Sequence, residues 1–241
     1  MQDTGLALAG NGPIPAIGCG TWELRGETCA QIVAKALRVG YRHIDTAQGY
    51  SNEEAVGEGL RASGIPRSDV FITTKVRPQR VSDGDLQLSA EESLLKLGVD
   101  VVDLLLIHWP NPAVPLRETM LALSDAKRRG LARNIGVSNF TIANLNAAVS
   151  ISPEPIVTNQ VELHPYLDQT RILGEARRLG LTVTAYCPIA LGKVVGDPVI
   201  EAIGAAHGKS AAQVALRWLI QQPGVAAIPR TSNPQRLAEH L

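Results

Sequence analysis

The chain lacks the features that mark secreted, metal-binding and membrane-spanning proteins. Its three cysteines, Cys19, Cys29 and Cys187, show no CxxC spacing, which favours a reducing cytosol over a disulfide framework or a zinc site. Lysine plus arginine and aspartate plus glutamate balance at 23 each, so neither a nucleic acid nor an anionic membrane is the expected partner. No apolar run approaches the roughly 18 residues that span a bilayer, and residues 1–10 lack the pattern of a signal peptide. We therefore expect a cytoplasmic protein.

Three kinds of catalytic or binding motif are also absent. No GxGxxG follows a strand, since Gly57 and Gly59 fall inside a predicted helix and lack the third glycine, which excludes a Rossmann phosphate loop. The segment IGVSNF is not a nucleophile elbow, because Phe140 stands where the second glycine is needed. A hydrolase with paired carboxylates is excluded because no second acid accompanies Asp45 at another strand end.

The residues that are present follow a repeated order of strand, turn and helix. Short β-branched or aliphatic runs, typical of buried strands, occupy residues 14–19, 41–46, 70–75, 101–108, 132–138, 156–161, 181–186 and 225–229. Amphipathic helical patterns occupy residues 26–38, 52–63, 84–97, 115–129, 141–149, 168–179 and 210–222. This alternation predicts an α/β fold, a (β/α)8 TIM barrel, with residues 1–241 as a single domain. A doubly wound parallel sheet is the alternative, but no second domain is visible.

Three segments fall outside this alternation. Gly-rich turn signals in residues 1–13 predict a short N-terminal hairpin at the bottom of the barrel. Residues 187–200 are expected to form a long loop for binding or gating on the catalytic face. A last helix is expected to begin at Pro234. Because the sequence ends inside that helix at Leu241, we expect the natural polypeptide to continue and the C-terminal helices to be missing from this chain.

Four polar side chains stand at or just beyond successive strand ends in the first half of the chain: Asp45, Tyr50, Lys75 and His108. In a parallel barrel the carboxyl ends of the strands meet at one face, where catalysis takes place. An acid, a phenol, an amine and an imidazole that meet there form a set suited to moving a proton.

Each of these residues also has a structural interpretation. Asp45 is suited to cap the following helix, and Lys75 to lie in solvent at a strand end. His108 could be a hydrogen-bonded structural histidine, and Tyr50 a half-buried aromatic residue. Their joint position at successive strand ends favours the catalytic interpretation over these separate ones.

A series of short motifs resembles the aldo-keto reductase family. The motifs are HIDTAQGYSNEEAVGEGL at 43–60, ITTKV at 72–76, LLLIHWP at 104–110, IGVSNF at 135–140, TNQVELHPY at 158–166 and IPRTSNPQRL at 228–237. They cover nearly the whole chain in the family's order. Within the family, a short first loop together with SNFT and YCPIALGK is similar to bacterial reductases of 2,5-diketo-D-gluconate and methylglyoxal.

The resemblance implies reduction of aldehydes or reactive ketones, such as 2,5-diketo-D-gluconate or methylglyoxal, by hydride transfer from NADPH. Tyr50 would be the general acid, with Asp45, Lys75 and His108 as its support. A lone tyrosine is a poor acid, with a reference pKa of about 10, and we expect the Lys75 ammonium to lower the pKa of Tyr50. Asp45 would hold the lysine charged, and His108 would donate a hydrogen bond to the substrate oxygen.

By the same resemblance, the second half of the chain would bind the nicotinamide. Ser138, Asn139 and Gln160 would hydrogen-bond its carboxamide, because side-chain amides carry both donors and acceptors. Tyr186 would stack on the ring face, with a buried core tyrosine as the alternative.

The segment PRTSNPQR would bind the adenosine 2′-phosphate, which implies NADPH/NADP+ over NADH. The residues concerned are Arg230, Thr231, Ser232, Asn233 and Arg236. Guanidinium groups at a helix N-terminus suit a phosphate, although the same segment is also typical of an ordinary helix N-terminus with no ligand. The family usually has Lys in place of Arg230. Its Glu-Asn pair for adenine is Glu239-His240 here, so Glu239 is a predicted cofactor contact, whereas His240 departs from the family's asparagine.

The resemblance also places Trp22 and Trp109 in the substrate pocket, with ordinary packing as the alternative. We expect a monomer whose partner is a small-molecule carbonyl substrate. Two rival functions share the fold: a non-catalytic NADP(H)-binding or regulatory barrel, and an isomerase or aldolase that uses Lys75 as a Schiff-base amine. The intact set of four residues argues against the first, and protection of Lys75 by Asp45 argues against the second.

Overall fold

The computed structural model describes residues 6–8 and 13–241. At the N-terminus, strand β1 (Leu6–Leu8) pairs antiparallel with β2 (Pro13–Pro15), which confirms the predicted hairpin strands, while the predicted turn at residues 9–12 lies outside the described residues. The buried side chain of Ile14 packs against residues that face the inside of the main sheet, Leu104, Leu106, Val157 and Ala226. The hairpin therefore fills the amino-terminal end of that interior.

The main sheet is parallel, and each of its strands pairs with the next along the chain. In the described part of the chain its eight strands are β3 (Cys19–Gly20), β4 (His43–Asp45), β5 (Phe71–Val76), β6 (Val102–Ile107), β7 (Ala132–Ser138), β8 (Ile156–Glu162), β9 (Thr182–Tyr186) and β10 (Val225–Ala227). The two ends of the sheet also meet, since Ile17 forms a parallel bridge with Ala227, and the Gly18 N–H donates to the Ala227 carbonyl at 2.9 Å. This closure confirms the predicted (β/α)8 barrel.

Helices connect the strands. They are α1 (Gly26–Val39), α2 (Glu53–Ser63), α3 (Asp85–Leu97), α4 (Leu116–Arg128), α5 (Ile142–Ile151), α6 (Thr170–Leu179), α7 (Pro198–His207), α8 (Ala211–Ile220) and α9 (Gln235–His240). Helices α3 and α6 end at Gly98 (φ 66°) and Gly180 (φ 71°), each in the left-handed conformation that closes a helix. Among the described residues, no helix has both the length and the apolar character needed to cross a membrane.

Alternation along β6 divides its side chains between two cores. Leu105 and Ile107 join the large cluster between the sheet and the helices, whereas Leu104 and Leu106 point into the barrel. Successive strand residues face opposite sides, and both faces of a parallel sheet are covered. The barrel interior is thus packed with apolar side chains near its amino-terminal end, which leaves the carboxyl end for polar groups.

The first predicted strand differs from the one observed. Residues 14–19 were expected to form one strand, but only Cys19 and Gly20 form a strand of the barrel, and Pro13–Pro15 belong to the hairpin. The physical reason is proline, which lacks the N–H that an interior strand must donate.

The long loop predicted at residues 187–200 is also shorter than expected. Helix α7 begins at Pro198, and the Asp197 side chain caps it by accepting the N–H groups of Val199 at 2.9 Å and Ile200 at 3.1 Å. Aspartate at the cap with proline in the first turn is a helix-start signal that the prediction missed.

Candidate active site

The carboxyl ends of β4, β5 and β6 bring the four predicted polar residues together. Asp45 ends β4, Lys75 lies in β5, and His108 directly follows β6, while Tyr50 ends a short 3-10 turn (Gln48–Tyr50) after β4. The ammonium Nζ of Lys75 donates to Asp45 Oδ1 at 2.5 Å and to the hydroxyl oxygen of Tyr50 at 3.4 Å. Carboxylate, ammonium and phenol therefore form one hydrogen-bonded chain.

The Lys75–Asp45 pair is buried and fully hydrogen-bonded. The two side chains are 0% and 1% exposed. Lys75 also donates to the Thr46 carbonyl at 2.8 Å, and the Gln160 amide donates to Asp45 Oδ2 at 2.8 Å. Burial alone lowers the pKa of Lys75, but the Asp45 carboxylate and Tyr50 more than offset it, so the net pKa is raised above its usual value. Lys75 therefore keeps its charge inside the barrel, where a buried ion pair needs such partners.

The pKa of Tyr50 differs from the sequence-based expectation. Burial raises the pKa of this phenol, and the nearby Lys75 ammonium offsets only part of the rise, so the net pKa lies above the usual value. Lys75 lowers the pKa of Tyr50 as expected, but desolvation of the phenolate, which the sequence does not show, is the larger effect. Tyr50 consequently holds its proton at neutral pH. Its ring also lies 5.0 Å from Lys75 Nζ, a cation–π distance.

His108 packs edge-on against Tyr50 and is uncharged at neutral pH. The two ring centroids are 5.6 Å apart at an interplanar angle of 79°. Burial and the Lys75 charge lower the pKa of His108 to about 4. A neutral imidazole carries one N–H donor and one acceptor nitrogen, so His108 can donate a hydrogen bond to a ligand oxygen beside Tyr50.

A cavity of about 830 Å³ opens above these residues. That volume lies within the range of small-molecule and cofactor pockets, roughly 300–1,000 Å³. Asp45, Tyr50 and His108 line it, whereas Lys75 does not. Lys75 therefore acts on the cavity through its neighbours.

The residues predicted to bind the nicotinamide all line this cavity, namely Ser138, Asn139, Gln160 and Tyr186. Asn139 follows β7 in the left-handed conformation (φ 62°), which asparagine tolerates better than most residues. Its side chain accepts the Tyr186 hydroxyl at 2.9 Å and donates to the His108 carbonyl at 3.0 Å. These contacts hold the ends of β6, β7 and β9 in one arrangement.

The same cavity is also lined by the residues predicted to bind the phosphate, Arg230, Thr231, Ser232, Asn233 and Arg236. Arg236 is exposed and forms no ion pair within the described residues. Arg230 is instead engaged, since its Nε donates to the Trp22 carbonyl at 3.0 Å and its Nη2 lies 3.8 Å from the Glu23 carboxylate. The two arginines thus differ in how free they are to bind a ligand.

Glu239 is the one predicted cofactor residue that points elsewhere. It does not line the cavity, and its carboxylate accepts the Ser210 hydroxyl at 2.5 Å at the start of α8. The neighbouring His240 is buried, with 6% of its surface exposed. The structure therefore gives the predicted adenine contact of Glu239 no support.

The rim of the cavity is apolar and aromatic. Trp22 and Trp109, both predicted there, line it with 43% and 49% of their surfaces exposed. Sequence reasoning missed Cys187, Ile189 and Leu191, which line it from the segment after β9. The loop prediction for that segment was the only signal, because no pattern distinguishes which of its residues turn inward.

Functional groups at the carboxyl ends of barrel strands characterise a (β/α)8-barrel enzyme, and this chain is one. The sequence profile described as the Aldo/keto reductase family matches residues 16–241. The chain therefore belongs to the aldo/keto reductase family of oxidoreductases.

Individual relatives are similar over most of their length. Methylglyoxal reductase DkgB of Salmonella typhimurium is 44% identical over 231 residues, 95% of this chain and 86% of that protein. A solved structure of a putative 2,5-diketo-D-gluconic acid reductase B has a TM-score of 0.93 at 50% identity, covering 94% of this chain and 81% of its own. A Bombyx mori aldo-keto reductase solved in complex with NADP has a TM-score of 0.90 at 35% identity, covering 97% and 85%.

Proposed function

We propose that this protein reduces the carbonyl group of aldehydes or reactive ketones with NADPH, and that Tyr50 donates the proton. The observation that carries the proposal is the buried chain from Asp45 through Lys75 to the Tyr50 hydroxyl at the cavity wall. Relatives named methylglyoxal reductase and 2,5-diketo-D-gluconic acid reductase support small dicarbonyl and keto-sugar-acid substrates.

The proton transfer follows from the hydrogen bonds of the three residues. Lys75 donates to the Tyr50 oxygen, so the phenol's own hydrogen is free to point to a ligand in the cavity. As negative charge grows on the carbonyl oxygen, Tyr50 donates its proton, and the adjoining ammonium stabilises the phenolate that remains. Asp45 holds Lys75 in place throughout. Neutral His108 donates a second hydrogen bond to the same oxygen and orients it.

The chemistry of the lining residues fits a nicotinamide cofactor. When bound, the reduced nicotinamide supplies the hydride to the carbonyl carbon. The Gln160 side chain uses one amide N–H for Asp45, and the described residues leave its other amide N–H and its side-chain oxygen Oε1 for a carboxamide. Ser138 and Asn139 lie beside it, and the half-buried Tyr186 ring offers a flat surface. The neighbour solved with NADP supports the same assignment.

Preference for NADPH over NADH rests on Arg236. Its guanidinium lies at the cavity and is not committed to a carboxylate in the described residues. A planar, permanently charged group that can bind bidentately suits a phosphate. Arg230 adds positive charge nearby, although its contacts with Trp22 and Glu23 limit its freedom.

A Schiff-base aldolase or isomerase is not favoured. Nucleophilic attack needs an uncharged, accessible amine. Lys75 is 0% exposed, donates to three acceptors and has a raised pKa.

We further propose that residues 1–241 act as a single-domain monomer on a small-molecule carbonyl substrate. Size-exclusion chromatography is expected to give the size of one chain.

An assay of NADPH oxidation with a panel of carbonyl compounds tests the proposed function. We expect methylglyoxal, 2,5-diketo-D-gluconate or another reactive carbonyl to cause oxidation of one NADPH per alcohol formed, with no oxidation when the carbonyl is omitted. Tight NADPH binding by fluorescence quenching without oxidation by any member would contradict the proposal and favour a non-catalytic barrel. Borohydride trapping of a substrate carbon on Lys75 would favour the aldolase.

A further inference from the structure

Asn52 occupies the N-cap position of α2 but does not cap it. Asparagine is among the preferred N-cap residues because its side chain accepts an N–H of the first turn. Here the side chain accepts none of them, and the residue is 3% exposed. Its Nδ2 donates instead to the carbonyl oxygens of Thr21 at 2.8 Å and Leu24 at 3.0 Å. The amide therefore links the start of α2 to the loop that follows β3.

The acceptor side of the same amide holds the segment that carries Tyr50. The Thr46 hydroxyl donates to Asn52 Oδ1 at 2.8 Å, which joins the two ends of residues 46–52. The Thr46 carbonyl in turn accepts the Lys75 ammonium at 2.8 Å. Thr46, at the start of this segment, is thus bonded both to Lys75 of the buried ion pair and to Asn52 at the segment's end.

The loop on the donor side contributes to the cavity wall. Residues 21–24 include Trp22 and Glu23, which line the same cavity as Tyr50. The Leu24 N–H donates to the Thr21 carbonyl at 3.0 Å, so the loop is a closed turn whose two carbonyls face Asn52. The Thr21 end of this loop is also tied to the Asp45 carbonyl by the Thr21 N–H and hydroxyl, both at 3.0 Å, whereas Asn52 joins both Thr21 and Leu24 to the segment of the proton donor.

Only a side-chain amide satisfies these contacts. It offers two N–H donors for the two carbonyls and an oxygen for the Thr46 hydroxyl. A carboxylate would place an oxygen against two carbonyl oxygens, and a serine hydroxyl carries a single donor on a shorter side chain. Both aspartate and serine, however, are good N-caps, so either substitution removes the link while supporting α2.

We propose that Asn52 is a positioning residue for the reaction, which sets Tyr50 relative to the Trp22 loop and hence to the substrate carbonyl. This inference rests on the proposed function, since it takes Tyr50 as the proton donor. A residue that holds reacting groups in place acts through orientation, and a misplacement of about 1 Å can cost on the order of 100-fold in rate.

Asn52→Ser tests the inference with two measurements. We expect kcat for carbonyl reduction to fall about tenfold to 100-fold, while the Kd for NADPH from fluorescence titration changes by less than about twofold, since Asn52 bonds none of the proposed cofactor residues and Arg236, on which the preference for NADPH rests, lies outside the loop. In the cofactor-free protein, hydrogen exchange measured by mass spectrometry should become faster in peptides covering residues 21–24 and 46–52. Asn52→Asp repeats both measurements should the serine variant fold poorly.

Gln87→Ser is the matched control. Gln87 is also buried, at 1% exposed, and also makes three hydrogen bonds, to the Gly84 N–H, Asp83 and Asp125. It lies in the first turn of α3, joins that helix to Asp125 of α4, and does not line the cavity. We expect it to lose stability but to keep the wild-type kcat of the folded enzyme.

The outcomes separate this inference from the proposed function. Wild-type kcat and wild-type exchange in Asn52→Ser, or a loss of kcat no larger than in Gln87→Ser, would overturn the positioning role. Full turnover by Tyr50→Phe would instead contradict the proposed proton donor, whichever result the Asn52 variants give.

Discussion

Lys75 shows how a residue that does not line the cavity sets its chemistry. The ammonium is buried between Asp45 and Tyr50, and three acceptors satisfy its three hydrogens. An unpaired charge in the barrel interior would be costly, and loss of the Asp45 carboxylate would leave the Lys75 ammonium unpaired. The phenol is therefore held next to a charge that cannot move away, which favours transfer of its proton.

At the same scale, the two arginines of the cavity should differ in their effect on cofactor choice. Arg236→Ala is expected to weaken NADPH binding by about 10-fold to 100-fold, the size of a charge-assisted hydrogen bond, and to leave NADH binding within about twofold. Titration of both cofactors by fluorescence quenching measures this. Arg217→Ala, an exposed arginine of α8 outside the cavity lining, is the control and should change neither. Equal weakening of NADPH and NADH by Arg236→Ala would rule out a 2′-phosphate contact.

At the scale of elements, α2 packs so closely on its neighbours that glycine is required. A Cβ at Gly59 would lie 2.6 Å from the Ala30 carbonyl oxygen of α1 and 2.7 Å from Val33 Cβ. A Cβ at Gly57 would lie 2.5 Å from the Leu97 carbonyl oxygen at the end of α3. The two glycines that resembled part of a phosphate loop therefore serve helix packing.

Gly59→Ala is consequently expected to destabilise the protein by about 1–3 kcal/mol through overpacking, although alanine favours a helix by about 1 kcal/mol. Gly174→Ala in α6 is the matched control, because nothing lies within 4 Å of the added Cβ, and it should stabilise by up to about 1 kcal/mol. Urea unfolding of both variants gives the free energies. Changes of the same sign would contradict the packing explanation.

Local patterns located the strands well, and with them most of the site. The run at residues 132–138 matches β7, and the positions of Asp45 at the end of β4 and of His108 just after β6 follow from apolar runs and the geometry of a parallel barrel. Contacts distant in sequence could not be predicted this way. Glu239 bonds a serine 29 positions away, and the burial that raises the pKa of Tyr50 is a property of the assembled barrel.

For the whole molecule, a buried neutral histidine makes stability depend on pH. His43 is 1% exposed inside the barrel, hydrogen-bonded to the Thr73 hydroxyl, and burial lowers its pKa from 6.5 to about 4. Below about pH 6.5 the His43 imidazole is protonated in the unfolded chain, whereas in the folded chain it stays neutral down to about pH 4. The stability that neutral His43 contributes is therefore complete above about pH 6.5 and is lost as the pH falls towards about 4.

We expect the free energy of unfolding to fall between about pH 6.5 and pH 5, with His43 contributing up to about 1.4 kcal/mol per pH unit. His43→Gln should reduce this slope and leave the share of His108, whose pKa is also lowered to about 4, whereas His207→Gln, at an exposed position of α7, should leave it unchanged. Urea unfolding at several pH values measures the slopes. An identical slope in wild type and His43→Gln would show that the His43 imidazole is not the group concerned.

Tyr50→Phe under single-turnover conditions tests most directly whether the Tyr50 hydroxyl is the proton donor. The variant keeps the ring and loses only the hydroxyl, so NADPH should bind with a Kd within about twofold of wild type, and oxidation of bound NADPH by methylglyoxal should slow by about 10²–10⁴-fold. Tyr166→Phe, whose hydroxyl bonds Asp197 outside the cavity lining, should react at the wild-type rate. Oxidation by Tyr50→Phe at the wild-type rate would contradict the assignment of Tyr50 as the proton donor.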